Sequence, residues 1–201
     1  MSKFIHLMSG GLDSTVALYH LLDNGEGVFC LLFDYGQRHK KELEYAARTC
    51  EKLGVKYERI HLPHEIFSRT SLTKGGVLTV DELNGGKTVV PNRNMVLISM
   101  AASYALSNGG TVVTWAANAD DSAVYPDCRD EFLKALNCAL RLCHTRRMEV
   151  HAPFINRTKK QVVGIGRKLG VPFEETWSCY DGGDEPCGEC GACKVRKAAM
   201  E

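Results

Sequence analysis

The stretch SGGLDST, residues 9 to 15, is built like a receptor for an anion. Gly10 and Gly11 let backbone N–H groups come close to a ligand, and Ser9 and Ser14 add hydroxyls. The helical pattern that follows, from Leu12 and Asp13 onward, would aim its positive end at the same point. A loop that cradles the β- and γ-phosphates of a nucleotide ends in Gly-Lys-Ser/Thr, yet no lysine stands here. A bare glycine turn between a strand and a helix is the plain alternative. The clustered hydroxyls and the acid favour a phosphate group whose charge is neutralised from elsewhere.

A second cluster lies near the C-terminus, where Cys179, Cys187, Cys190 and Cys193 follow a C-x7-C-x2-C-x2-C spacing. Four soft thiolates on one glycine-rich segment suit a tetrahedral, structural Zn²⁺ with no open coordination position. An iron–sulfur cluster and plain thiols are the alternatives. Trp177, just before the cluster, is either core packing or a plate for stacking a flat heterocycle.

The elements that must position these groups alternate. Residues 4 to 8 (FIHLM), 28 to 33 (VFCLLF), 57 to 62 (YERIHL), 111 to 116 (TVVTWA) and 148 to 153 (MEVHAP) read as strands. Helical patterns occupy 14 to 22, 40 to 53, 94 to 107, a stretch running to about 143 that Asp127 could N-cap, and a stretch from Thr158 to Leu169. Connections this long rule out hairpins, so the expected fold is α/β, a single Rossmann-like domain with a mostly parallel five-stranded sheet covered on both faces. The ligand site should lie where the post-strand loops converge. Residues 63 to 90 break the rhythm with Pro63 and paired glycines, and read as a long loop or lid. The organisation expected is an ATP-binding domain over 1–175 with a zinc-binding segment, 176–201, packed on it.

Composition narrows the classes. Twenty-five Lys and Arg against 24 Asp and Glu leave a formal charge of +1, which favours neither nucleic acid nor membrane. The N-terminus lacks the apolar core of a signal peptide, and no apolar run approaches the roughly 20 residues that span a bilayer, so a cytoplasmic protein is expected. No basic, aromatic-laced appendage for RNA is present.

Several stretches together resemble one family, the 7-cyano-7-deazaguanine synthases of queuosine precursor biosynthesis, within the PP-loop ATP pyrophosphatases. The matching pieces are SGGLDST (9 to 15), FDYGQRH (33 to 39), VVPNRN (89 to 94), YPDCRDEF (125 to 132), HAPFINRTKKQVV (151 to 163) and the cysteine segment from Thr176. The resemblance implies an adenine nucleotide α-hydrolase-like fold and a ligase that takes 7-carboxy-7-deazaguanine, ammonia and ATP to the nitrile. The loop would then hold departing pyrophosphate, with Asp13 helping to place Mg²⁺, and the absent lysine is explained. Small-molecule substrates and no direct nucleic-acid partner follow, with a homodimer as one open assembly.

Roles follow from residue chemistry. Lys159 matches the family lysine after the fifth strand and would neutralise the α-phosphate; its alternative is a solvated helix-start charge. Arg93 and Asn94 offer a fork for a carboxylate or a purine-like edge. Asp34, Gln37, Arg38 and His39 sit just past the second strand, where ribose or adenine would lie, Arg38 being equally a surface charge. Asp127, Cys128 and Arg129 follow the fourth strand, with Cys128 in packing or substrate contact, since activation by adenylation removes the need for a thiol nucleophile. Two departures from the family pattern lie near the expected substrate: Asn92 replaces the glycine of VPGRN, and Trp115-Ala116 replace a smaller turn. They leave open an enzyme that stops at the amide or passes the base to a macromolecular amine. A non-catalytic zinc and ATP-binding module is the reading of another class.

Overall fold

The computed structural model describes residues 3–67, 73, 89–181 and 183–201. The apolar runs form five strands: β1 (Phe4–Leu7), β2 (Val28–Asp34), β3 (Tyr57–His61), β4 (Val112–Thr114) and β5 (Glu149–His151). Every pairing is parallel, in the order β3-β2-β1-β4-β5. The helices are α1 (Leu12–Asp23), α2 (Lys41–Lys52), α3 (Arg93–Ser107), α4 (Asp130–Cys143), α5 (Lys159–Lys168) and α6 (Gly191–Met200). Most of the expected loop at 63–90 falls outside the described residues.

The near-continuous apolar character of β1 and β2 has a direct cause: both faces are covered. One face, with Ile5, Leu31, Phe33 and Val113, packs on Leu97, Ile98 and Ala101 of α3 and on Leu136 and Leu140 of α4. The other, with Phe4, Met8, Cys30 and Leu32, packs on Leu18 and Leu21 of α1 and on Leu43, Ala46 and Cys50 of α2. Burying a side chain of this size stabilises by about 1.5–3 kcal/mol. The chain winds outward from β1 to β3 and returns across the sheet to β4. The strand order therefore reverses between β1 and β4, and a crevice opens outside their C-terminal ends.

One polar chain crosses this core. His6 of β1 is fully buried; its Nε2–H donates to the Ser14 carbonyl at 2.9 Å, and its Nδ1 accepts from the Thr114 hydroxyl at 2.9 Å. The imidazole thus ties β4 to the first turn of α1, and its complete burial favours the neutral ring. Burial lowers its pKa from 6.5 to about 4. The unfolded chain takes up the proton first as pH falls, so this part of the stability is complete above pH 6.5 and lost as pH drops toward 4. That separation is worth about 3 kcal/mol. Denaturant unfolding at pH 7 and pH 4.5 should show a loss of stability that is clearly smaller in a His6→Gln chain; an equal loss in both would remove His6 as the cause.

One local expectation changes, and two further details bear on the site. α4 begins at Asp130 with Arg129 in the N-cap position, so Asp127 is not its cap; it sits in a short 3₁₀ turn, Pro126–Cys128, which proline starts. Asn92 adopts the left-handed conformation (φ 59°, ψ 15°) that a glycine would supply, and its side chain makes no cap hydrogen bond. Asparagine tolerates that region, so the turn into α3 keeps a glycine-like path. Lys194, Arg196 and Lys197 belong to α6, where Arg196 donates to the Thr176 hydroxyl at 2.8 Å, the Ser178 hydroxyl at 3.0 Å and the Phe173 carbonyl.

Candidate active site

The loop between β1 and α1 is organised by its own hydroxyls. Ser9 Oγ lies 2.9 Å from Ser14 Oγ and accepts from the Gly11 N–H, while the Ser14 and Thr15 hydroxyls both donate to the Gly11 carbonyl. These bonds spend the side chains on shaping the turn. The N–H groups of Leu12, Asp13 and Ser14, at the start of α1, have no intrahelical acceptor and remain available to an anion. Gly10 is pressed against α2, and its carbonyl accepts from the Trp177 N–H at 2.9 Å. The cysteine segment is thereby hooked onto the phosphate loop.

A cavity of about 270 Å³ opens at the crevice between β1 and β4. Ser9, Gly11, Leu12, Asp13 and Ser14 line one side. Lys159 reaches in from the first turn of α5, whose start is secured by a capping box between Thr158 and Gln161. Its Nζ lies 3.1 Å from Asp13 Oδ2, so it is no solvated surface charge. Burial would lower its pKa, but the Asp13 and Asp121 carboxylates outweigh burial and hold it raised. Asp13 Oδ1 is buried without a hydrogen-bond partner, which fits a group that meets a cation or phosphate-bound metal on ligand binding.

Across the cavity stands Arg93. Its Nη1 donates to the Tyr35 hydroxyl at 3.3 Å, and the guanidinium lies 5.8 Å from the Tyr35 ring centre. Asn94 Nδ2 donates to Cys128 Sγ at 3.7 Å. Burial pushes the Cys128 thiol up to about 12, so at neutral pH it is protonated and a poor nucleophile. Asp127, Tyr125, Trp115 and Trp177 complete the wall. Trp177 is buried, tilted on Tyr45 at 5.7 Å and held by its Nε1–H on the Cys179 carbonyl at 2.9 Å.

Five of the expected residues do not reach this wall, the first being Gly10, which is turned toward α2 and Trp177. Asp34 holds Lys40 at 2.7 Å and the Gly36 N–H at 3.1 Å. Gln37 is fully buried, accepting from the Tyr35 N–H and donating to the Phe33 carbonyl, so it folds the loop after β2. Arg38 lies on that same loop outside the cavity lining, and Arg129 donates to the Ser122 carbonyl at 3.0 Å. Of the group after β2 His39 lines the cavity, and Tyr35, Glu42, Tyr180 and Asp121 join it. Asp121 had a legible signal, as an acid in the polar loop after the fourth strand. Tyr35 and Tyr180 had none beyond proximity to motifs.

The four cysteine sulfurs lie within 4.8 Å of one another, and Cys179, Cys190 and Cys193 are buried. The N–H groups of Cys187 and Cys190 donate to the sulfurs of Cys179 and Cys187 at 3.4 Å. Thiolates about 3.8 Å apart are what a tetrahedral ion with 2.3 Å metal–sulfur bonds requires. The donor set therefore fits a metal site that ties Cys179 to the start of α6 and closes the C-terminal segment on itself.

A parallel sheet with a helix-start loop at its switch point is the architecture of an α/β protein of the nucleotide-binding type. The fold is shared with the NMN synthetase from Francisella tularensis (TM-score 0.56, 17% identity, over 100% of this chain and 74% of that one). It is also shared with the U34-tRNA thiolase NcsA from Methanococcus maripaludis, whose structure carries a [4Fe-4S] cluster (TM-score 0.58, 14% identity, over 98% of this chain and 64% of that one). Residues 3–201 match the family model described as "Queuosine biosynthesis protein QueC", and the chain belongs to that family. It is 44% identical to the 7-cyano-7-deazaguanine synthase of Archaeoglobus fulgidus over 98% of this chain and 85% of that protein. Among the described residues no helix is long and apolar enough to cross a membrane.

Proposed function

We propose that the protein is the ligase that converts 7-carboxy-7-deazaguanine and ammonia to 7-cyano-7-deazaguanine at the expense of ATP. The observation that carries the reading is the convergence of the lysine-free anion loop, the Asp13–Lys159 pair and Arg93 on one cavity in a chain of this family. The substrate carboxylate attacks the α-phosphorus, and pyrophosphate departs onto the N–H groups of Leu12 to Ser14. Lys159 faces the charge that develops on the α-phosphate, and Arg93 holds the substrate. Ammonia then forms the C–N bond and AMP leaves. The amide oxygen is activated in the same way as the nitrogen gives up one proton, and loss of AMP with the second proton leaves C≡N. Mg²⁺, placed beside Asp13, would neutralise the polyphosphate.

A protonated Cys128 supports activation by adenylation rather than by a thioester. Zn²⁺ is the ion the cysteine set suits best: a four-iron cluster, with iron at separate corners, holds its thiolates farther apart than a single ion does. Incubation with 7-carboxy-7-deazaguanine, ammonium and Mg-ATP should yield the nitrile with two AMP for each nitrile formed, read by mass. Amide alone would instead support an enzyme that stops halfway, ADP would overturn attack at the α-phosphate, and no ATP turnover would leave a binding module.

A further inference from the structure

Ammonium is a cation in neutral water and cannot attack an acyl group until it loses a proton, so the reaction proposed above needs a proton acceptor inside the cavity. The carboxylates of the lining are Asp13, Glu42, Asp121 and Asp127. Asp13 is paired with Lys159. Glu42 accepts from Gln37 Nε2 at 3.3 Å and faces His39 Nε2 at 3.3 Å. Asp127 is half-buried, on the turn beside Cys128.

Asp121 differs from all three. It lies on the turn Asp121–Ala123 after β4, and Asn118 Nδ2 holds its Oδ2 at 2.7 Å while the Asn118 side-chain oxygen accepts from the Asp121 N–H. One carboxylate oxygen is thereby pinned by Asn118, and the residue lines the cavity. Lys159 lines the same cavity and opposes the Asp121 charge, so the two side chains share one polar end of the site.

We propose that Asp121 receives ammonium and acts as the base that frees ammonia for attack on the acyl adenylate, a role that rests on the function argued above. Ammonium gives one proton to the Asp121 carboxylate. The freed lone pair forms the C–N bond, the acyl carbon–oxygen bond breaks with its electron pair leaving on AMP, and a second proton passes from the new nitrogen to water.

The surroundings suit the task. Lys159 from α5, Asp13 from α1, Asp120 and Asn118 of its own loop, Cys128 of the following turn and Tyr180 of the cysteine segment are the groups that face it. Burial, with the charges of Asp13 and Asp120, pushes its carboxyl up to about 6 against the opposing pull of Lys159. A base tuned toward neutrality is the better proton acceptor, and one fully ionised at pH 7 still attracts a cation.

Asp121→Asn and Asp121→Ser test this, both keeping an oxygen acceptor for Asn118. Exchange of labelled pyrophosphate into ATP, driven by the deazaguanine carboxylate and requiring no ammonia, should stay within about threefold of the wild type. Amide formation from ammonium at pH 7 should fall about 10²-fold. Raising the pH, or substituting hydroxylamine, an amine already uncharged near neutrality, should restore turnover toward the wild-type rate. Loss of exchange together with turnover would overturn the proposal in favour of a metal or folding role, as would an equal deficit with hydroxylamine or unimpaired amide formation. If the wild type itself shows no carboxylate-dependent exchange, the functional reading fails rather than the role of Asp121.

Discussion

Lys159→Met is expected to slow adenylation by about 10²–10³-fold while the chain stays folded. The fold has little need of this charge, because α5 is started by the Thr158–Gln161 capping box and the Lys159 N–H is taken by Asp120 Oδ2 at 2.8 Å. Methionine keeps most of the stem, so the loss falls on the ammonium. That ammonium is the partner of Asp13 at 3.1 Å and shares the field of Asp121 and Asp120. Without it, three acids would surround the place where the α-phosphate gains charge, and repulsion would add to the lost attraction. Carboxylate-dependent pyrophosphate exchange reads the step directly, and thermal unfolding checks the fold. Exchange within a few-fold of the wild type would show that the pair with Asp13 is structural only.

Gly10→Ala carries the second large effect, and it strikes the fold and the site together. Gly10 has φ +83°, a region that costs an ordinary residue about 1 kcal/mol or more. A Cβ there would stand 2.0 Å from the Glu42 carbonyl oxygen and 2.8 Å from the Ala46 nitrogen. Both are backbone atoms of α2, so no rotamer change relieves the clash and the helix must retreat from the loop. Overpacking of this kind costs about 1–3 kcal/mol, and with the backbone term the loss should reach roughly 3 kcal/mol, about 6–12 °C in Tm for a chain of this size. Pyrophosphate exchange should fall with it, since the Gly10 carbonyl also anchors Trp177. Gly11→Ala is the contrast: its Cβ would stand 3.3 Å from Ser9 Oγ and 3.5 Å from the Trp177 carbonyl oxygen, at an ordinary φ of −74°. If both variants melt alike, close approach of α2 is not the reason for the first glycine.

The elements were legible for a physical reason. Strands covered on both faces must be apolar throughout, helices on a sheet must repeat near every third or fourth residue, and Thr158 with Gln161 announces a helix start in local chemistry alone. The anion loop and the cysteine tetrad were legible for the same reason, since each is complete within one short segment. Asp127 misled because Pro126 carries the chain into a separate turn before α4 begins, so a good capping residue meets no helix end.

Local sequence thus determined the strand–helix alternation, the phosphate loop, the metal-binding set and, through their joint order along the chain, the family. Tertiary structure alone decided which polar residues share the cavity. Gln37 and Asp34 sit inside a motif yet turn to bonds within their own loop, while Tyr35, Tyr180 and Asp121 arrive from separate loops at one crevice. The pairing of Lys159 with Asp13 spans most of the chain, and no spacing rule encodes it. It follows from the strand order β3-β2-β1-β4-β5, which sets the loops after β1 and β4 side by side and brings α5 against α1. A periodic pattern records which face of an element is buried, but not which element will be its neighbour.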